Sequence, residues 1–401
     1  MNTARGAPAR AVTVIAALAL SLAGCSTVSS TPTPQPTSQP TAAPGPTPTA
    51  APTATAAEWI AQNSTPLITS EYVTPSGFPI DTAHFKKDPP YTIAFINWSA
   101  ANSWTVQVTN ETKDEASRFS QIGEFIALSS DGDSNKQISQ MQDMISRQVD
   151  AIIVDPISPE GLVPSIEQAA AAGIPVFTFA SSAPTDALIS SVLADEIAFG
   201  RLQGNWLMET LNCTGKIIVL NGLTGNSTND ARRQGFGDAI KACPDGGAGI
   251  TILAEADAMW AYDQGKTETQ RLLTAYPEID GVQSQGGAMT QGAIDAFQAA
   301  NRPLVPMTGE DNNGFLKKWQ ELEPSGFKAM AASEPTWQAR LDVQLALMTL
   351  QGMTVYPSYK LNVPTIYSEQ LTQYVRPEYN DNYWCNSMMP KAVADGIYMN
   401  P

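Results

Sequence analysis

Short apolar runs, each followed by a longer stretch of helical periodicity, recur along the middle of this chain and limit what it can fold into. YTIAFIN (91–97) precedes a helix over about 102–119, and EFIALS (124–129) precedes one over about 135–148. AIIVD (151–155) leads into SPEGLVPSIEQAAAAG, and PVFTF (175–179) follows. After a helix near 196–211 the cycle restarts with KIIVLNG (216–222) and a helix near 229–242. ITILAE, GVQSQ and VPMTG come next, separated by helices near 264–276 and 288–300. Strands that read as continuous apolar runs are buried on both faces, which requires a parallel sheet covered by helices on each side. Two such sets in succession predict an α/β chain with two doubly wound parallel-sheet lobes. The second set repeats the pattern of the first without repeating its sequence.

The chain before Tyr91 has a different character. Arg5 and Arg10 precede the apolar run AVTVIAALALSL (11–22), and Leu22-Ala23-Gly24-Cys25 closes it. A basic start, an apolar stretch too short to span a bilayer and small residues before a cut site form a secretory signal. The tetrad LAGC resembles the bacterial lipobox, which implies cleavage before Cys25 and lipidation of its thiol; an ordinary signal with a chance Cys is the other reading. Residues 26–57 are nearly all Thr, Pro, Ala, Ser and Gln, with no charge. Such a segment buries too little surface to offset its chain entropy, so 25–57 is expected to be an acylated Cys on a disordered stalk. Residues 58–90 form an N-terminal extension.

The formal charge of −16 argues against nucleic acid, whose phosphates call for Lys and Arg clusters. The three cysteines besides Cys25 lack metal-type spacing, so no metal or other cofactor is expected. Outside the cytoplasm a disulfide persists, and Cys213 and Cys243 fall at the ends of successive helices. Their pairing, with Cys385 left over, is expected; three free thiols are the alternative.

The stretch QISQMQDMISRQVDAIIVDPISPEGLVPSIEQAAAAGIPVFTF (137–179) resembles the pentose and hexose periplasmic binding proteins of bacterial ABC importers, the ribose and galactofuranose-binding type. Further matches follow in order: VLADEIAFG (192–200), VLNGLTGNSTNDARRQGF (219–236) and TGEDNNGF (308–315). The resemblance implies the type 1 periplasmic binding protein fold, in which two lobes are joined by a three-crossing hinge and close on a ligand held between them. It implies an N-terminal lobe of 91–194 plus 334–361, and a C-terminal lobe and tail of 195–333 plus 362–401. It also implies a small carbohydrate ligand, an ABC permease with its ATPase as partner, a lipid anchor on the outer side of the cell membrane, and a monomer. A ligand-sensing lipoprotein that presents the same kind of ligand to a membrane receptor is the alternative.

A sugar offers a C–H ring face that suits aromatic rings and a hydroxyl rim that suits amide and charged groups. Loops after strand C-termini collect ligands in open α/β sheets. There the resemblance places Asn102 and Trp104 after the first strand, Trp260 after ITILAE, and Arg232 in NDARRQGF. Asp311 follows VPMTG, and Gln285 and Ser333 complete the set. Each Trp reads alternatively as lobe core, and Asp311 as the N-cap of a helix beginning near Asn312. Arg232 at a helix start opposes the helix dipole, which ligand contact would explain. Trp98 and Trp206 are weaker candidates. The chain departs from the family at Ala180 and Ser181, where Asp-Arg is usual, at Gly286 and Gly287, where Asn-Asp is usual, and at Ser333, where Gln is usual. These changes predict a cleft that is roomier and less charged on one side, with Asn102, Gln285, Asn229 and Glu334 as possible substitutes.

Catalysis is not expected. Gly225-Asn226-Ser227-Thr228-Asn229 approaches a nucleophile elbow but ends in Asn, and the chain's single His, His84, precedes the first strand.

Overall fold

A computed structural model describes residues 54–400. The signal, Cys25 and the stalk up to residue 53 lie outside the described residues. The last predicted stalk residues do not continue it. Thr55 caps the helix α1 (Ala56–Asn63), its hydroxyl accepting from the Glu58 amide while Glu58 accepts from the Thr55 amide, a reciprocal capping box that fixes a helix start.

A strand β1 (Val73–Ser76) follows. The first wound unit then runs β2 (Tyr91–Asn97), α2 (Ser103–Ser117), β3 (Ile122–Ser129), α3 (Ser134–Ser146), β4 (Ala151–Val154), α4 (Pro159–Ala171), β5 (Val176–Phe179) and β6 (Ser190–Leu193). The second runs α5 (Glu196–Thr210), β7 (Gly215–Asn221), α6 (Ser227–Lys241), β8 (Ile250–Asp257), α7 (Tyr262–Ala275), β9 (Gly281–Ser284), α8 (Gly287–Ala299), β10 (Met307–Glu310), α9 (Asn313–Leu322) and β11 (Ala329–Ala332). The chain returns to the first unit as α10 (Gln338–Leu350) and β12 (Ser358–Leu361). It crosses back as β13 (Thr365–Ile366), α11 (Leu371–Tyr374) and α12 (Lys391–Tyr398).

The strands form two sheets, ordered β1-β12-β6-β5-β4-β2-β3 and β13-β11-β10-β9-β7-β8. All neighbours are parallel except the antiparallel edge pairs β1 with β12 and β13 with β11. The chain passes between the sheets after β6, after β11 and after β12. Side-chain alternation explains why both faces are apolar. Ile93 and Phe95 pack with Val108 and Leu341 on one face of the first sheet, while Ala94 and Ile96 pack with Met141 and Ile166 on the other. In the second sheet Ile218 and Leu220 face α7 to α9, and Ile217 and Val219 face α5 and α6. Cys213, just past α5, is bonded to Cys243, just past α6, with their Cα atoms 5.7 Å apart; Cys385 is free and buried.

Candidate ligand-binding site

The C-terminal ends of strands from both sheets meet at a cavity lined from both sides. Trp98, Asp155 and Ala180 follow β2, β4 and β5 on one side. Asn226 follows β7, Trp260 follows β8 and Glu310 ends β10 on the other. Ala180 at the end of β5 belongs at the same time to the core cluster of the first lobe, as Trp104 does, and Trp260 packs against that of the second. Glu334, on the crossing between β11 and α10, also lines the space, and so does Trp384 from the tail between α11 and α12. The lobes touch beside it. The Asn226 amide donates to Ser181 Oγ at 3.3 Å, and Thr228 Oγ1 donates to the Ala180 carbonyl at 3.0 Å.

Four indoles, those of Trp98, Trp104, Trp260 and Trp384, face this cavity. Trp98 and Trp260 reach across from opposite lobes, edge to face with centroids 6.0 Å apart. Trp260 and its neighbour Met259 sit at φ 50° and 54°, a left-handed conformation that costs bulky residues of order 1–3 kcal/mol each and persists only where the surroundings impose it. Here the Ala258 and Met259 amides are held by the carbonyls of Asn221 and Gly222 at 2.8 and 3.2 Å. The indole lies on Gly222 so closely that a Cβ there would stand 2.0 Å from the ring. Its Nε1 is buried without a hydrogen-bond partner among the described residues, whereas Trp104 Nε1 donates to the Glu334 carbonyl and Trp384 Nε1 to Ser103 Oγ. An unpaired buried donor carries a desolvation penalty, and a ligand oxygen would relieve it.

Arg232 is the one cation on the cavity wall among the described residues, and it is almost fully buried. Its Nε donates to Glu196 at 2.6 Å and its Nη1 to Glu310 at 2.7 Å and to the Gln285 carbonyl at 2.9 Å; Nη2 donates to Glu334. The Phe199 ring lies 3.8 Å beneath the guanidinium carbon. The ion cluster therefore explains how an arginine is held at the first turns of α6, against the sense of the helix dipole. Asp155 is buried nearby with Oδ1 unpartnered among the described residues.

The residues singled out in the sequence separate into a wall and a layer behind it. Trp104, Trp260, Arg232 and Asn102 line the cavity. Asn102 also caps α2, its Oδ1 accepting from the Thr105 amide at 2.9 Å. Gln285, Asp311 and Ser333 do not line it. Gln285 is buried against Asn221 and Asn229. Asp311 neither lines the cavity nor caps α9, a role taken by Asn312. Its carboxylate and carbonyl accept from the amides of Asn386 and Cys385 at 2.5 and 3.0 Å. Ser333 Oγ accepts from the Asn386 side chain at 3.0 Å. Both therefore hold the tail that carries Trp384.

The roomier, less charged cleft expected from the departures at Ala180, Ser181, Gly286, Gly287 and Ser333 is also corrected. A Cβ on Gly286 would come within 2.9 Å of Trp260 Cδ1, and one on Gly287 within 2.3 Å of the Glu310 carbonyl, so the space is already filled, and the wall carries three carboxyls. Trp98, Asp155, Glu310 and Trp384 also line the cavity. The first three stand at strand ends, a signal the sequence offers; Trp384 has no such signal.

Burial pushes Glu196 and Glu310 each up to about 8, Arg232 pulling against it and the Glu334 charge adding to it. Burial also lifts Asp311 to about 6, against the Asn386 amide, and Asp155 well above the carboxylate range. Between the ordinary carboxylate range and about 8 the folded protein thus retains protons that the unfolded chain has released, so stability is lost as pH rises through that window. The melting temperature of the ligand-free protein is expected to fall from pH 5 to pH 8.5, each fully differing group tilting stability by ~1.4 kcal/mol per pH unit. Glu310→Gln should flatten the slope. A melting profile that rises over this range would contradict the assignment.

A profile of the family described as periplasmic binding protein domain matches residues 93–354. The chain is 31% identical over 189 residues to a xylitol-binding protein of Mycolicibacterium smegmatis, a match covering 47% of this chain and 53% of that relative, about half its length. It is 24% identical over 275 residues to the ribose import binding protein of Salmonella typhimurium, covering 69% of this chain and 90% of the relative. Among solved structures, an ABC transporter solute binding protein from Mycobacterium smegmatis with bound glycerol superposes with a TM-score of 0.64 at 27% identity. That match covers 71% of this chain and 97% of the other.

Proposed function

The chain belongs to the periplasmic binding protein domain family, and on that premise we propose that it captures one small carbohydrate or polyol between its lobes and delivers it to an ABC permease. It is a binding protein and not an enzyme. The observation that carries this reading is the cavity where strand ends of both lobes present four indoles beside carboxyls and one arginine. Indole faces suit the C–H surface of a sugar ring. The unpaired Trp260 N–H and Asp155 Oδ1 offer a donor and an acceptor to its hydroxyls. The named relatives that bind xylitol and ribose, and the related structure that holds glycerol, support this class of ligand.

Asn102, Trp104, Trp260 and Arg232 form the wall in this proposal, Arg232 mainly by holding Glu310 and Glu334 in place. Gln285, Asp311 and Ser333 are positioning residues behind it. The hydrogen bonds from Asn226 and Thr228 to Ser181 and Ala180 are closure contacts that hinge opening would break. The lobes in this reading are 91–194 with 334–361 and 195–333 with 362–401, the latter including the tail. The protein works as a monomer outside the cytoplasm, and the LAGC tetrad supports a lipid tether at Cys25, stable on a membrane when two or more chains are attached.

A thermal-shift screen against monosaccharides, polyols and nucleosides tests the reading. A ligand that binds only the native state stabilises it by about 2.7 kcal/mol at a hundredfold excess over Kd, so a carbohydrate or polyol should raise the melting temperature by several degrees. Shifts confined to nucleosides would overturn it.

A further inference from the structure

We propose that the molecule this cleft is built for is a carbohydrate or cyclitol carrying a protonated amine, a proposal that rests on the carbohydrate reading of the same cavity. The wall presents the carboxyls of Asp155, Glu310 and Glu334, and Glu196 lies against the same guanidinium from behind. Arg232 is the one cation facing them among the described residues, and its Nε, Nη1 and Nη2 already donate to Glu196, Glu310 and Glu334. Lys360, on β12, is paired with Asp195 at 2.6 Å. Four carboxyls share one guanidinium, so the empty cleft is short of a second cation and its surplus acceptors are neutralised by protons instead.

Asp155 gives that shortage a location. It is 2% exposed, lines the cavity, and holds Oδ1 without a hydrogen-bond partner among the described residues. The four indoles line the same cavity, and the negative face of an indole attracts a cation once water is excluded. A neutral polyol would use the same acceptors and leave those protons in place; an ammonium supplies the missing cation. In the empty cleft burial favours the neutral forms of Asp155, Glu196 and Glu310, with Arg232 opposing it for the two glutamates and the Glu334 charge, Asp311 beside Glu310 and Asp195 beside Glu196 adding to it. An arriving ammonium replaces those protons, so binding releases them to solvent.

The test is calorimetry of the full chain at pH 7 with matched pairs: D-glucose and D-glucosamine, D-galactose and D-galactosamine, myo-inositol and an aminodeoxyinositol, with choline and spermidine alongside. In at least one pair the amino member should bind about tenfold tighter or more, with proton release read from the dependence of the heat on buffer ionisation. Asp155→Asn should shrink that ratio, and Glu310→Gln serves where the first variant fails to fold. Equal or tighter binding of the neutral members overturns the amine while leaving the carbohydrate reading intact. Binding by choline or spermidine alone overturns both, and silence across the panel overturns this proposal.

Discussion

Arg232→Met is expected to lower the stability of the ligand-free protein by about 3–5 kcal/mol at pH 8.5, the range for stranding buried charges by removing their partner. Three carboxyls converge on this one guanidinium, from α5, from the end of β10 and from the crossing before α10. Glu196 and Glu310 are each pushed up to about 8 by burial, so at pH 5.5 they are protonated and need the cation less. The loss should therefore be smaller at pH 5.5 than at pH 8.5, and adding Glu196→Gln and Glu310→Gln to the variant should recover part of it. Urea unfolding at the two pH values reads this directly. A loss below about 1 kcal/mol at pH 8.5, or a larger one at pH 5.5, would mean that the cluster does not hold the cleft.

The parts of the fold that were legible are those where burial leaves a one-dimensional trace. β2, β4 and β5 are buried on both faces and read as apolar runs. β6 holds Ser190 and Ser191 in a four-residue strand, too short and too polar for periodicity to mark, and β1, β12 and β13 exist because a partner strand is there to pair with. The site shows the same division. Trp104 and Trp260 were found because the family resemblance places an aromatic in the segment after each of two strands. Glu310 and Asp311 are adjacent carboxylates at the end of β10, and successive strand residues point to opposite sides, so the sequence alone does not say which faces the cleft. Gly286 was read as space because the indole that fills it comes from another loop. Trp384 was invisible, since it reaches the cavity through contacts with Ser103 and Gln107, more than 270 residues away.

Trp260→Ala carries the second large effect. Truncating a ring that is set at a left-handed backbone position, seated on Gly222 and turned toward Trp98 of the other lobe removes both a stacking face and a buried N–H donor. Aromatic anchors in desolvated pockets cost about 2 kcal/mol or more on truncation, which is roughly thirtyfold in Kd. Trp206, packed on α5 against the Leu207 and Phe236 cluster, lies outside the cavity lining and is the control. The central claim is that the ligand sits between the lobes against these indoles. Titration calorimetry of Trp260→Ala and Trp206→Phe with the carbohydrate that most raises the melting temperature tests it most directly. The account predicts at least a roughly thirtyfold loss of affinity in Trp260→Ala and near-native affinity in Trp206→Phe; near-native affinity in both would contradict it.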